Sequence, residues 1–355
     1  MPLTVLSFAF PFAPVGPQAV GGSEQVLTAL DHALVAAGHT SLVVACEGSS
    51  AAGKLLAVPR LFRMEDEHAR RWCRKQVQAC LDRVLAMYPV DLIHMHSLEF
   101  HEYTLPPEIP VLVTLHLPIS WYPQQIWKKL PSNVHLQCVS ETQHRSFPPE
   151  LGEIPVIPNG VEIPPLTPKS GQFAIVLGRI CPEKNQHLAL EAGFRAGVPI
   201  VLGGQVFPWR NHLAYFHEKI EPLLRENRNG ITHKFLGPLP PGRKHRLLSQ
   251  AKCLLHPTLA PETSSLVAME ALAAGTPVIA FPSGALTEIV QHGVTGFFVD
   301  SLETMVEALH HTDTFRPQVC RDAAIQHFSR TRMVRQYFDL YGSLVQAHSR
   351  QKLYA

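Results

Sequence analysis

Two glutamates, Glu262 and Glu270, stand eight residues apart in PETSSLVAMEALAAGTP, residues 261–277. The strand-like Leu254-Leu255 precedes them, and a small, apolar helix pattern runs on to Ala274-Gly275. This layout puts Glu262 on a loop at the carboxyl end of a strand and Glu270 inside the following helix. Open α/β sheets bind ligands at that edge. A carboxylate near helix-start N–H groups suits recognition of sugar hydroxyls. The neighbours of Glu270 are Val267, Met269, Ala271, Leu272 and Ala273. A carboxylate in such company needs partners, because leaving it unpaired is costly; the bland alternative is a solvated helix-surface glutamate. Arg179 and Lys184 lie in LGRICPEKNQHLALEA, a strand–loop–helix pattern. Cations fixed there stabilise negative charge that grows in a transition state, Arg by forking two oxygens and Lys as a point charge. Gly21-Gly22-Ser23 opens a helix after the first strand. Glycines let the backbone approach a ligand, helix-start N–H groups favour anions, and Ser23 is the expected N-cap. His116 ends the strand VLVTLH; His94 and His96 alternate in DLIHMH and share a strand face, with no third metal ligand evident. Trp121-Tyr122 and Trp127-Lys128-Lys129 form an aromatic and basic loop that could stack on a ring or cover a domain edge.

The elements that must carry these residues read as strand and helix in alternation, twice. In the first half, strands are expected at 4–10, 41–45, 91–96, 111–116, 134–140 and 155–160. Helices are expected at 23–37 and 65–87, the second with Trp72, Val77, Leu81, Val84 and Leu85 on its inner face. Glu65, Asp66 and Glu67 open that helix as charge complementing its dipole. Four prolines between 158 and 171 mark a linker. The second half restarts with strands at 173–178, 199–204, 231–237, 253–257 and 277–281, helices lying between them. Short apolar strands alternating with helices imply parallel sheets covered on both faces.

The chain has 355 residues, enough for two α/β domains, and is 46% hydrophobic and 17% charged, which reads as packed globular protein. A formal charge of +2 argues against a strong nucleic-acid field. Twenty histidines imply that acidification to pH 6 would charge many of them. Seven dispersed cysteines without a C-x-x-C pair fit reduced thiols in a cytoplasmic protein. The apolar start lacks a basic region and has four prolines by Pro17, so it reads as a strand running into a loop, not a signal peptide. No 18-residue apolar window indicates a transmembrane segment, although peripheral membrane contact is compatible with the sequence.

The glutamate pair and its surroundings resemble the E-x7-E motif of the retaining glycosyltransferases of family 4. These are the group 1 glycosyltransferases with two Rossmann-like domains, the GT-B architecture. Gly178-Arg179 through Glu183-Lys184-Asn185 is similar to that family's phosphate-binding G-R-x-x-x-E-K-G. Ser140 in CVSE, Asn159-Gly160-Val161 in IPNGVE, and PSGALTEIVQHGVTGFFV with Glu288 match further family segments.

The resemblance implies an α/β fold with two Rossmann-like domains facing a cleft. They are an acceptor-binding domain at 1–165 and a nucleotide-sugar-binding domain at 170–328, with a C-terminal helix at 329–355 crossing back to the N-terminal domain. It implies a metal-independent, retaining transferase that takes a nucleotide-diphosphate sugar donor and an unidentified small-molecule or glycan acceptor, with no cofactor, no bound metal and no nucleic acid. Glu262, His116, Arg179 and Lys184 would be catalytic. Gly21, Gly22, Arg179, Lys184, Glu262, Thr263, Ser264, Ser265, Leu266 and Glu270 would bind the donor: Glu262 the transferred sugar, Glu270 the ribose, and the cations and glycines the diphosphate. His96, Trp121 and Tyr122 are the acceptor candidates. Glu183 reads as an orienting or helix-start residue. Alanine at Arg179 or Lys184 should then cost transfer rate far more than stability. Where many family members have E-G-F-G or E-P-F-G, this chain has Glu262-Thr263-Ser264-Ser265. That departure bears on the donor sugar, and it supports the alternative of a catalytically weak or inactive nucleotide-sugar-binding scaffold. A phosphorylase lacks support from any cofactor-lysine motif, and the paired cations favour transfer over epimerisation.

Overall fold

The computed structural model describes residues 2–60, 67–167 and 170–354. The chain divides into two units, Met1–Asn159 with Thr331–Ala355, and Gly160–Arg330.

In the first unit six strands form one parallel sheet: β1 (Thr4–Phe8), β2 (Thr40–Cys46), β3 (Lys54–Val58), β4 (Leu92–Met95), β5 (Val111–Leu115) and β6 (Val134–Cys138). Their order is β3-β2-β1-β4-β5-β6. The central strands are apolar on both faces because both faces are covered. Leu6, Phe8, Leu42 and Val44 pack with Cys73, Val77, Leu81 and Val84 of the helix Glu67–Met87. On the other face Val5, Leu92 and Leu112 pack with Val26, Leu30 and Leu34 of the helix Gly22–Ala36. Met333, Tyr337, Tyr341 and Leu344 of the C-terminal helix Arg330–Tyr354 complete that layer.

The second unit repeats the plan with β7 (Ala174–Leu177), β8 (Ile200–Gly203), β9 (Lys234–Phe235), β10 (Leu254–His256), β11 (Val278–Ala280) and β12 (Gly296–Phe298). Its order is β12-β11-β10-β7-β8-β9, again all parallel. Counted within its unit, each sheet runs 3-2-1-4-5-6, the doubly wound Rossmann order. The topological switch point falls between β1 and β4 in one unit and between β7 and β10 in the other.

Several expectations need correction. The edge strands β3 and β12 escaped the periodicity reading, while 155–160 forms only an isolated bridge at Val156. The strand expected at 231–237 shrinks to Lys234–Phe235. Trp72, assigned to the inner helix face, is 45% exposed. Gly21, not Ser23, caps the helix Gly22–Ala36, with extended backbone and no side-chain cap bond. Glu65 and Asp66, and Pro168 and Lys169 of the expected linker, lie outside the described residues. All seven cysteines are buried and none is in a disulfide. Among the described residues no helix is long and apolar enough to cross a membrane.

Candidate functional site

In the second unit three loops leave the carboxyl ends of β7, β10 and β11 and are tied together by backbone bonds. The Leu259 amide donates to the Glu183 carbonyl at 2.8 Å, joining the β10 loop to the β7 loop. The Ala285 amide donates to the Glu262 carbonyl at 2.7 Å, and the Ser283 hydroxyl to the Ala260 carbonyl at 2.9 Å, joining it to the β11 loop. Gly284 makes the second junction possible: its φ is +57°, and a Cβ there would stand 2.2 Å from the Glu262 carbonyl oxygen. Gly284→Ala is therefore expected to cost roughly 2 kcal/mol or more, from left-handed strain plus backbone overlap. Thermal unfolding checks this, and an unchanged Tm would show that the junction does not hold the loop.

Glu262 is the electrostatic centre of this cluster. Its carboxylate is 13% exposed and accepts a hydrogen bond from the Lys184 ammonium. The same Oε1 lies 3.4 Å from His256 Nε2, which is also 3.3 Å from the Ser265 hydroxyl. Burial opposes charge on Glu262, but the His256 hydrogen bond and the Lys184 ammonium overcome it and hold the carboxyl down at about 2. Ser265 caps the helix Leu266–Ala273, its hydroxyl accepting from the Ala268 amide. The first-turn N–H groups of that helix have no intrahelical acceptor. Thr263, Ser264 and Leu266 flank that helix start, partly exposed.

Glu270 lies inside the same helix, and Lys244 of the helix Pro241–Gln250 donates to its Oε1 at 2.6 Å. Its Oε2 is buried and has no hydrogen-bond partner among the described residues. A buried carboxylate oxygen left open costs free energy until a donor fills it. Sequence reasoning missed Lys244; the basic run Arg243-Lys244-His245-Arg246 before a short apolar helix face was the available signal.

Arg179 is exposed, with its guanidinium carbon 6.0 Å from the Trp209 ring centroid. Its own carbonyl accepts from Gln186 Nε2 at 2.7 Å, which fixes the loop rather than the guanidinium. Among the described residues one cluster, Cys181, Glu183 and His212, brings ligand-type atoms within 4.8 Å of one another. Burial pushes the Cys181 thiol up to about 11, and it donates weakly to the Arg179 carbonyl at 3.5 Å. With a protonated thiol and the Arg179 cation close to Glu183 and His212, the cluster reads as a loop clamp.

In the first unit Gly21 and Gly22 open their helix after β1. A Cβ on Gly21 would meet a Glu24 carboxyl oxygen at 1.9 Å, so the glycine makes room for that buried acid. Burial raises the Glu24 carboxyl above its ordinary range, against hydrogen bonds from its own backbone amide and from Ser23. Glu24 is a second residue the motif reading did not single out.

His116 follows β5 and is partly exposed, while His94 and His96 of the β4 segment are buried. His96 Nδ1 lies 3.0 Å from His116 Nε2, and His96 Nε2 lies 3.2 Å from His94 Nδ1. The three rings therefore spend ring nitrogens on one another. Burial lowers the pKa of all three, His116 to about 4. Burial likewise lowers His101, His135, His187, His212 and His233, the last to about 4, so these histidines take up a proton less readily than a free imidazole. Of the aromatic candidates, Trp121 is 59% exposed, whereas Tyr122 is 3% exposed and packs against Phe100 and Trp127. Tyr122 is thus a core residue of its unit and has no ring face left for stacking. His96 likewise stands behind His116.

The family description "Glycosyl transferases group 1" matches residues 163–311, and "Glycosyltransferase Family 4" matches residues 20–163. A stretch of 164 residues is 27% identical to the lipopolysaccharide 1,2-N-acetylglucosaminetransferase of Salmonella typhimurium, covering 43% of this chain and 42% of that protein. The match thus spans less than half the length of that relative. Sucrose-phosphate synthase of Thermosynechococcus elongatus superposes with a TM-score of 0.78 at 20% identity, over 97% of this chain and 100% of that one. The Anabaena protein HepE, in complex with UDP-glucose, gives 0.73 at 18% identity, over 96% and 100%. These likenesses are of fold. With both halves matched by adjoining family descriptions and each unit wound in the Rossmann order, the chain belongs to the family 4, or group 1, glycosyltransferases.

Proposed function

We propose that the protein is a glycosyltransferase that uses a nucleotide-diphosphate sugar and retains the anomeric configuration without needing a metal ion. The observation that carries this is the open, buried Oε2 of Glu270, one helix away from the Lys184–Glu262 pair at the switch point. Glu270, its other oxygen held by Lys244, takes ribose hydroxyls as donors to Oε2. Glu262, kept ionised, accepts from hydroxyls of the transferred sugar. Arg179 and Lys184 supply the positive charge that a divalent ion supplies in other transferases. Within the first unit, Gly21 and Gly22 and the helix they open present N–H groups suited to an anion. The departing phosphate assists removal of the acceptor proton, and His116 and Trp121 serve the acceptor side. The UDP-glucose complex of HepE supports a nucleotide-sugar donor. The combination of reduced thiols and a chain without a membrane-crossing helix among the described residues supports a cytoplasmic site of action.

The test is a thermal-shift and calorimetric panel of UDP, GDP, ADP and dTDP with their common sugars. One nucleotide is expected to stabilise the wild type, by roughly 2.7 kcal/mol at a hundred times its Kd. Glu270→Ala is expected to weaken that nucleotide by about tenfold to a hundredfold, the worth of one or two hydrogen bonds to a charged acceptor. An unchanged Kd removes Glu270 from the ribose. No binding by any nucleotide sinks the transferase reading.

A further inference from the structure

Two loops of the second unit bring sulfur, nitrogen and oxygen ligand atoms together. Cys181 and Glu183 lie on the loop after β7, and His212 lies in the helix Arg210–Tyr215 that follows β8. One atom from each, the Cys181 Sγ, a Glu183 carboxylate oxygen and a His212 ring nitrogen, falls within 4.8 Å of the other two. The Ile180 amide ties the two loops by donating to the Gln205 carbonyl at 3.0 Å. The β7 loop is itself set by a tight turn, in which the Lys184 and Asn185 amides donate to the Cys181 and Pro182 carbonyls, both at 3.1 Å. Pro182 fixes the backbone between the two ligands.

His212 points to a ligand on its own account. It is 2% exposed, yet its Nδ1 is buried with no hydrogen-bond partner among the described residues. An idle, buried ring nitrogen carries a desolvation cost that a ligand recovers. Trp209 and Phe207 meet the imidazole edge to face, at 4.7 and 6.3 Å between ring centroids, and hold its plane. Cys181 is fully buried while Glu183 is exposed, so the cluster has a soft inner ligand and an opening to solvent. The donor set decides the ion: thiolate and imidazole favour zinc-type cations, whereas magnesium and calcium take oxygen. Zinc–ligand bonds place neighbouring tetrahedral ligands roughly 3.3–3.6 Å apart, so rotation of the exposed Glu183 side chain and about 1 Å of contraction close the site. A thiolate and a carboxylate together cancel the dication, so the nearby Arg179 guanidinium faces a neutral centre.

We propose that Cys181, Glu183 and His212 form a zinc site with three protein ligands, a water completing the tetrahedron. On binding, the Cys181 S–H bond breaks, its proton leaves to solvent and the Sγ–zinc bond forms, with no change of oxidation state. Without the ion the three groups clamp the loop; with it, the clamp becomes a tie between the β7 loop and the helix after β8. The ion takes no part in the transfer reaction proposed above, and the site does not depend on that reading. Cys181 and Glu183 escape a sequence search for zinc ligands because no second Cys or His stands at a familiar spacing from them, and His212 arrives from another loop.

Full-length protein, reduced and stripped of metal, is titrated with Co2+ as a coloured stand-in for Zn2+. A single equivalent is expected to give sulfur-to-cobalt charge-transfer absorption together with the strong visible bands of a four-coordinate ion. Zn2+ is expected to displace the Co2+, and Mg2+ to leave it in place. Cys181→Ser should abolish the charge-transfer band, whereas Cys46→Ser, a buried thiol of the other unit, should keep it. Competition with a chromophoric chelator is expected to show Zn2+ held at least about a hundredfold more weakly by Cys181→Ser and His212→Gln, since even outer-shell partners command tenfold to a hundredfold. Glu183→Gln is expected to weaken it by about tenfold or more, and because Glu183 is exposed this variant carries the test if a buried one fails to fold. The absence of a charge-transfer band, or a band that survives Cys181→Ser, overturns the site. Zn2+ held equally by wild type, Glu183→Gln and His212→Gln means adventitious binding by surface histidines and overturns it too. No nucleotide enters any arm, so failure of the zinc site and failure of the transferase reading are separable.

Discussion

Arg179→Ala is expected to lower sugar transfer by about a hundredfold to a thousandfold, the loss seen when one preorganised group is removed from a developing charge. The fold should not notice. Arg179 is exposed, its side-chain partner is the Trp209 ring at 6.0 Å, and the loop is held through its carbonyl instead. An exposed cation over an indole contributes about 0.5–1 kcal/mol, so Tm should shift little. The effect should also concentrate in kcat rather than in nucleotide affinity, because the charge on the leaving diphosphate grows along the reaction. Arg179→Lys distinguishes fork from point charge: partial recovery is expected, since a lysine cannot hold two phosphate oxygens at once. The measurement is turnover of the nucleotide sugar identified by the binding panel, in wild type, both single variants and Arg179→Ala/Lys184→Ala. Turnover retained by the double variant removes the diphosphate role from this loop.

The loops that carry Arg179, Lys184, Glu262 and Glu270 were legible in the sequence because they are local. A strand, a loop and a helix in succession fix where Arg179, Lys184, Glu262 and Glu270 must stand, and the parallel sheet puts their loops side by side. What pairs with them was not legible, because pairing crosses the chain. Lys184 and Glu262 are 78 residues apart and Lys244 and Glu270 are 26 apart, so no spacing rule joins them. The histidine chain is less local still: His94 reaches Tyr341 across 247 residues. Read from DLIHMH alone, His94 and His96 share a strand face with no third metal ligand evident; the fold brings His116 and two tyrosines to them. Edge strands failed for a different reason. β3 is half exposed and follows a glycine- and serine-rich stretch, and β12 is three residues long, so neither carries the unbroken apolar run that marks the central strands. Tyr122 shows the limit of composition, since an aromatic beside Trp121 turns inward while Trp121 stays out.

Lys184→Ala is expected to cost stability as well as rate, contrary to what its place in a surface turn suggests. Lys184 is the cation bound to Glu262, and Glu262 is 13% exposed. Removing one partner of a largely buried pair leaves a charge without compensation, worth about 3 kcal/mol. His256 at 3.4 Å relieves part of this. Replacing Glu262 as well, in Lys184→Ala/Glu262→Gln, removes the orphaned charge and is expected to recover most of the loss in Tm while transfer stays abolished. The pH dependence has a definite sign. The folded carboxyl of Glu262 titrates at about 2 against an ordinary value of 4.5. A depressed carboxylate contributes its stability above its unfolded value, on the order of 3 kcal/mol for a shift of this size, and loses it as pH falls toward the folded value. The gap in Tm between wild type and Lys184→Ala should therefore be full at pH 7, shrink below about pH 4.5 and close as pH approaches 2. A gap that persists unchanged at pH 3 would mean that Lys184 stabilises the loop by packing and not through Glu262. Its role toward the diphosphate would then have to be argued without that ion pair.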